Sequence, residues 1–133
     1  MSSEVALQAI DLVKYFPTGS SGILGRPTDL VQAVDGVSFA LAAGKTLGIV
    51  GESGCGKTVT SLALLGLLPE PPARIMDGSS VRFRGQELVG ADERRLRALR
   101  GNEMAMVFQE PMSSLNPVFS VGDQIAETLR LQR

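Results

Sequence analysis

The sequence predicts an α/β fold in which a glycine-rich loop joins a short apolar strand to a helix. Three observations predict it. Val31–Leu41 alternates apolar and polar residues as a half-buried strand does, the apolar run TLGIV directly precedes the glycine-rich stretch Gly51–Gly56, and a helical pattern follows that stretch. The chain has 133 residues, 44% of them hydrophobic, so we expect one folded domain or part of a larger one.

Two strands are predicted in the first 41 residues. Val5–Val13 is mostly apolar, and Val31–Leu41 carries the alternation described above. Between them Pro17–Pro27 is rich in glycine, serine and proline, which is typical of a surface loop. A turn is expected at Ala43 and Gly44.

The loop itself lies between a predicted strand and a predicted helix. Thr46–Val50 is a short apolar run of the kind found in a strand buried on both faces. The three glycines of Gly51–Gly56 allow only a loop. The apolar residues of Thr58–Leu68 predict a helix that Pro69 closes, because proline cannot continue a helix.

The second half of the chain mixes strand and helix patterns. Val81–Arg84 alternates as a strand does, and Asp92 precedes a helical run that ends at Gly101. Met104–Phe108, with the sequence MAMVF, is a second candidate for a buried strand, and Asp123–Leu131 is helical. Because no stop signal follows this last helix, we expect the chain to be part of a longer protein.

Composition excludes several classes of function. Thirteen basic and fourteen acidic residues give a net charge of −1, so there is no electrostatic case for binding nucleic acid. A single cysteine excludes an internal disulfide and a multi-cysteine metal site. Leu62–Leu68, the longest apolar run, is far shorter than the ~20 residues of a membrane-spanning helix. The N-terminus has no signal-peptide pattern, and we expect the protein to stay in the cytoplasm.

The glycine-rich stretch matches a phosphate-binding pattern in full. Gly51, Gly56, Lys57 and Thr58 satisfy G-x-x-x-x-G-K-S/T. Backbone N–H groups of such a loop point at phosphate oxygens, the lysine brings a full charge, and the Thr58 hydroxyl can ligate Mg²⁺. A chance glycine-rich turn is the alternative, but the predicted strand before the loop and the helix after it favour phosphate binding. The residues expected to contact the nucleotide are Gly51, Glu52, Ser53, Gly54, Cys55, Gly56, Lys57, Thr58 and Val59.

A second GKT sequence, Gly44–Thr46, serves as an internal comparison. Phe39 stands where the pattern needs its first glycine, and an apolar strand pattern follows instead of a helix. We therefore expect Lys45 to be a solvated turn residue.

Longer stretches extend the interpretation beyond the loop. The stretches LVKYFP, AVDGVSFAL, GIVGESGCGKT and MAMVFQEPMSSLNPVFSVGDQI resemble, in order and spacing, the ATP-binding subunits of ABC transporters. The closest group is the one that powers bacterial import of dipeptides, oligopeptides, glutathione or nickel. The resemblance covers essentially the whole chain, and FQEPMSSLNP is its most specific stretch.

This resemblance implies an ATPase fold of the ABC type that is incomplete. Residues 1–45 and about 78–90 would form an antiparallel β subdomain on the N-terminal side. Residues 46–69 and 102–109 would belong to the nucleotide-binding core. Residues 110–133 would contain the loop after the core glutamine and the start of a helical subdomain.

The resemblance also implies roles for residues outside the loop. Phe16 falls where the family places the aromatic ring that stacks on adenine; Tyr15 is the alternative, and simple packing of the β layer is another. Gln109 falls where the family places a glutamine that touches Mg²⁺ or the attacking water; without the resemblance, an inert strand end would be the interpretation. Many members of the family follow the lysine with Ser/Thr-Thr, whereas here Thr58 is followed by Val59, so one hydroxyl contact is absent there.

Further expectations concern cofactors, partners and location. ATP and Mg²⁺ are the implied cofactors. Membrane-spanning permease subunits would contact Gln109–Pro117, a second ATP-binding subunit would form a homo- or heterodimer, and a separate solute-binding protein would complete the system. The implied location is the cytoplasmic face of the bacterial inner membrane.

The sequence lacks three features that ATP hydrolysis in this family requires. It has no apolar strand ending in Asp-Glu, no LSGGQ-type segment and no histidine. We therefore expect these 133 residues alone to bind ATP weakly at best and not to hydrolyse it. Two alternatives stay open: a truncated nucleotide-binding product without activity, and another phosphate-loop phosphotransferase that uses Asp92 and Glu93 as its acidic pair.

Overall fold

The computed structural model describes residues 4–18, 29–68, 74–109 and 115–131. The chain divides into two compact units, Met1–Leu96 and Arg97–Arg133. The first unit contains the sheet and the glycine-rich loop. The second contains Gln109 and the last helix.

The sheet of the first unit is antiparallel, with five strands in the part of the chain that the structure describes. They are β1 (Val5–Thr18), β2 (Asp29–Ala42), β3 (Arg74–Ile75), β4 (Ser80–Phe83) and β5 (Gln86–Glu87). The strand order is β2-β1-β4-β5, and β3 also pairs with β1. This confirms the two predicted N-terminal strands and the strand predicted at Val81–Arg84. The two-residue strands β3 and β5 were not predicted, because so short a segment carries no periodicity.

The predicted connections lie partly outside the described residues. The turn at Ala43 and Gly44 is confirmed, since Lys45 N donates a hydrogen bond to Ala42 O over 3.1 Å. Most of the predicted loop Pro17–Pro27 lies outside the described residues, as does Pro69.

Helix α1 (Lys57–Leu64) is shorter than the sequence predicts. Gly66 ends it, with a left-handed φ of 61°. Gly66 N donates to Ala63 O and Leu67 N donates to Leu62 O, at 3.1 and 2.9 Å, which is the hydrogen-bond pattern of a Schellman motif. The prediction that Pro69 closes the helix is therefore wrong, because the chain has already turned three residues earlier.

The two other predicted helices are confirmed. Helix α2 (Glu93–Leu99) follows Asp92, whose carbonyl accepts hydrogen bonds from Arg95 N and Leu96 N at 3.0 and 3.1 Å. Helix α3 (Val121–Leu131) begins two residues before its predicted start. No helix in the described part of the chain is both long and apolar enough to cross a membrane.

The buried apolar side chains come from the sheet and from α1. They are Ala9, Leu12, Val34, Val81 and Leu88 on the sheet side, and Ala63, Leu64 and Leu65 from α1 and the residue that caps it. This distribution indicates that the amphipathic helix packs its apolar side on the sheet. The helix start, and with it the glycine-rich loop, is fixed relative to β2.

Two predicted strands are absent. Residues 46–50 and 104–108 have no strand conformation. Among the described residues, the only β-type pairing that involves either segment is an isolated bridge between Met104 and Arg100. Val50 and Val107 are 94% and 95% exposed, so neither segment is buried. A parallel strand depends on neighbours for its backbone hydrogen bonds, and no described strand pairs with either segment. Their apolar sequences are consistent with strands, but pairing is what makes a strand.

The hairpin of β4 and β5 is held by the carboxylate of Glu87. It accepts hydrogen bonds from Ser80 Oγ at 2.5 Å, Val81 N at 2.9 Å and Val89 N at 3.1 Å, and pairs with Arg82 Nε at 3.5 Å. Burial raises the pKa of Glu87, but these hydrogen bonds outweigh it and lower the pKa below the ordinary 4.5.

Replacing Glu87 with glutamine is expected to destabilise the fold at pH 7 and to flatten its acid dependence. Because the pKa of Glu87 is lower in the folded state, its carboxylate stabilises the fold at pH values above the ordinary pKa of 4.5. This contribution is lost as the pH falls through the lower pKa of the folded state. Urea unfolding at pH 7 and pH 3 measures the effect, with Glu127→Gln on exposed α3 as control. Equal losses for both variants at pH 7 would contradict the role of Glu87.

Candidate phosphate-binding site

The glycine-rich loop packs against β2 at one point. Gly56, which directly precedes α1, has a left-handed φ of 87°. A Cβ at this position would come under 3.0 Å from Ala33 O, a backbone atom of β2. Only glycine fits both the conformation and the contact. Sequence reasoning identified Gly56 from the motif but could not identify Ala33, because that contact joins residues distant in sequence.

The first glycine of the motif lies against the side chain of Cys55. A Cβ at Gly51 would come under 3.0 Å from Cys55 Sγ. The loop curls so that its two ends are close, and Cys55 N donates a hydrogen bond to Glu52 O at 3.3 Å. Gly54 adopts a left-handed φ of 82° in open space. Cys55 is exposed and free.

The ammonium of Lys57 is folded onto this curled loop. Its Nζ donates to Gly51 O at 2.8 Å and to Glu52 O at 2.7 Å, and lies 3.4 Å from Cys55 Sγ. The loop carbonyls thereby hold a full positive charge at the concave side of the loop. An anion placed there would meet this charge directly.

The start of α1 adds backbone donors to the same place. The first N–H groups of a helix have no intrahelical acceptor, so those of Lys57, Thr58 and Val59 are available for an anion. Thr58 is exposed, whereas the hydroxyls of Thr60 and Ser61 donate back to Gly56 O and Lys57 O at 2.9 and 3.2 Å. A curled glycine-rich loop, a lysine and helix amides together fit a bound polyphosphate.

The sheet pairs Tyr15 with Gln32 and Phe16 with Val31 across β1 and β2. The ladder is irregular between Lys14 and Tyr15, so the pairing of Lys14 with Val34 does not fix the face on which Phe16 lies. The choice between Phe16 and Tyr15 as the ring that stacks on adenine stays a prediction.

Gln109 belongs to the second unit and is exposed. The expectation that it follows a buried strand is wrong, because residues 104–108 are not a strand here. Its contact with Mg²⁺ or water stays a prediction. Asp92 and Glu93, the acidic pair of the phosphotransferase alternative, are both exposed, with Asp92 directly before α2.

Comparison with known proteins identifies the family. A model of the ABC transporter family matches residues 34–132. The chain belongs to the ABC transporter family. Its fold class, an ABC ATPase domain represented by its N-terminal part with an antiparallel sheet, is thereby confirmed.

Several ABC transporter proteins are similar to this chain over its greater part. The dipeptide transport ATP-binding protein DppD of Bacillus subtilis is 50% identical over 99 residues, which are 74% of this chain and 29% of that protein. The oligopeptide transport ATP-binding protein AppD of the same species is 46% identical over 104 residues, 78% of this chain and 31% of that protein. A probable peptide ABC transporter ATP-binding protein of Sinorhizobium fredii is 50% identical over 102 residues, 77% and 30% of the two chains. The chain thus spans about three tenths of the length of these ABC relatives.

Proposed function

We propose that this chain binds the phosphates of ATP at the loop Gly51–Thr58. The observation that carries the proposal is the position of Lys57, whose ammonium lies 2.8 and 2.7 Å from the carbonyls of Gly51 and Glu52 on the concave side of the loop. A charge held there by weak neutral acceptors is ready to exchange them for phosphate oxygens, since charge-assisted hydrogen bonds are the stronger ones.

Each loop residue has a distinct role in this proposal. Lys57 neutralises the β- and γ-phosphates, and backbone N–H groups of the loop and of the first turn of α1 donate to their oxygens. Thr58 supplies a hydroxyl to Mg²⁺, which, when bound, neutralises charge between the terminal phosphates. Phe16 stacks on adenine, where a flat ring can contact the face of the base. Gln109 contacts Mg²⁺ or the attacking water.

In the whole protein, this chain would be part of the energy-coupling subunit of an importer for peptides or related small solutes. The names of the relatives, dipeptide, oligopeptide and peptide transport, support that class of cargo. ATP hydrolysis would take place with a second ATP-binding subunit. Gln109–Pro117 would face the permease subunits at the cytoplasmic side of the membrane, and a separate protein would bind the solute. The domain division given above, from the β subdomain to the helical subdomain, is part of this proposal.

ATP is expected to protect Cys55 from alkylation. Cys55 is the chain's single cysteine, it is exposed, and its Sγ lies 3.4 Å from Lys57 Nζ. Intact mass after maleimide treatment, with and without MgATP, gives the degree of protection, and adenosine is the control because it lacks phosphates. Labelling at the same rate with MgATP as without it would contradict the proposed site.

Activity measurements on the purified chain distinguish the alternative functions. We expect no steady ATP hydrolysis by the chain alone; hydrolysis abolished by Lys57→Ala would contradict this. Phosphoryl transfer to a metabolite that is lost in Asp92→Ala would favour the phosphotransferase. Binding without turnover agrees with both an importer subunit and an inactive product, and only assembly with permease subunits distinguishes those two.

A further inference from the structure

The side chain of Gln124 on α3 fastens the turn that precedes the helix. Its Oε1 accepts a hydrogen bond from Asn116 N at 2.9 Å. Its Nε2 donates to Asn116 O and to Phe119 O, both at 3.0 Å. One amide thus uses both of its ends on the backbone of residues 116–119. Glutamate at this position could accept but, when ionised, could not donate.

Two further contacts complete the arrangement. Asn116 Oδ1 accepts from Val118 N at 3.0 Å, which closes the turn on itself. Ser120 Oγ accepts from Asp123 N at 3.1 Å and donates to Asp123 Oδ2 at 2.6 Å, which caps α3. The turn therefore has hydrogen bonds within itself and to the helix, and Gln124 makes the connection between the two.

Apolar burial contributes little to holding this turn. Val118 and Phe119 are 83% and 60% exposed, and every residue from 115 to 120 is exposed. Where side chains are this exposed, the conformation of a turn depends on its hydrogen bonds. The three bonds of Gln124 are thus the main link between the turn and α3 in the described part of the second unit.

We propose that Gln124 is a positioning residue that makes residues 116–119 and α3 one rigid piece. The inference rests in part on the proposed function, because Asn116 and Pro117 are the end of the region proposed to face the permease. By holding Asn116, Gln124 keeps Val118 and Phe119 in one conformation, whether or not Gln109 contacts a bound nucleotide or its Mg²⁺. No residue role assigned above includes Gln124, and its substitution leaves the phosphate-binding loop untouched.

Amide hydrogen exchange in the whole chain tests the link without any nucleotide. Gln124→Met keeps the length of the side chain but makes none of the three bonds, so exchange at Asn116 N–H should become roughly tenfold faster. Far-UV circular dichroism verifies that α3 still forms, and Glu127→Gln on the same helix is the matched control. Unchanged exchange at Asn116 would overturn the proposal.

A second variant gives a signature that general unfolding of the turn would not. In Gln124→Glu the carboxylate could still accept from Asn116 N, but at neutral pH it is repelled by the carbonyl oxygens of Asn116 and Phe119, to which it cannot donate. This repulsion should displace the side chain, so Asn116 should lose protection there. Below about pH 4.3 the carboxyl becomes protonated and can again donate one hydrogen bond. Protection of Asn116 relative to the parent chain should therefore recover on acidification in Gln124→Glu but not in Gln124→Met. Equal behaviour of the two variants across this pH range would overturn the role of the amide.

Tryptophan reporters connect the link to nucleotide binding. The chain contains no tryptophan, so Phe119→Trp gives a single emission signal from the fastened turn. MgATP should leave this emission unchanged with Gln124 present and change it in Gln124→Met; a change with Gln124 present would overturn the proposal. Failure of MgATP to bind at all would contradict the proposed function instead, and the exchange measurement would still decide the role of Gln124.

Discussion

Replacing Lys57 with alanine is expected to weaken ATP binding by about 10- to 100-fold. The ammonium makes charge-assisted contacts to phosphate that are worth about 1.5–3 kcal/mol, and 1.4 kcal/mol corresponds to a tenfold change in the dissociation constant. The substitution also frees the carbonyls of Gly51 and Glu52, but both are exposed and can bond to water. The loss should therefore appear in affinity and not in the free energy of unfolding. Titration with a fluorescent ATP analogue measures the affinity.

The chain offers a matched control in its second GKT sequence. Lys45 stands between Gly44 and Thr46, as Lys57 stands between Gly56 and Thr58, but Lys45 follows a turn at the end of β2 and is exposed. Lys45→Ala removes the same charge from the same local sequence without touching the curled loop. Its ATP affinity should equal that of the parent chain. Equal losses in the two variants would show that total charge, and not the loop, attracts the nucleotide.

The helices could be located from the sequence because their hydrogen bonds are local. Helices α1, α2 and α3 pair their backbone groups within themselves, so periodicity and capping residues suffice to find them. β1 and β2 are long, alternate in part and meet as neighbours. Residues 46–50 and 104–108 have equally strand-like sequences. A strand, however, needs a second strand for its backbone hydrogen bonds, and the sequence of one segment does not show whether that second strand is present.

The same distinction applies to the site. The motif from Gly51 to Thr58 is local, and its loop and helix form as predicted. The contact between the loop and Ala33 and the hydrogen bonds of the Gln124 side chain were not predicted. Both are contacts that form only in the folded chain, and the spacing of residue types along the sequence does not reveal them. The end of α1 at Gly66 is predictable in principle, because glycine commonly ends helices. The prediction rested on Pro69 instead, because proline is the stronger helix breaker.

Alanine at Gly56 is expected to cause the largest loss of folding stability among changes to the loop. The position combines a φ of 87° with a Cβ site under 3.0 Å from Ala33 O. The left-handed conformation alone costs a residue with a Cβ about 1–2 kcal/mol. The contact adds to this because Ala33 O is a backbone atom of a paired strand and cannot rotate away, and such overpacking typically costs about 1–3 kcal/mol.

Gly54 separates the two costs. Its φ is 82°, nearly that of Gly56, but a Cβ there would meet nothing within 4 Å. Gly54→Ala should therefore lower the free energy of unfolding by the conformational cost only, and Gly56→Ala by about 1–3 kcal/mol more. Urea unfolding of both variants, followed by circular dichroism, gives that difference. If the two variants unfold at the same urea concentration, the loop is not seated on β2 in solution. A clear difference would mean that the loop is seated against the backbone of β2, a strand outside the motif, so that the sheet limits which residues the motif can accept at Gly56.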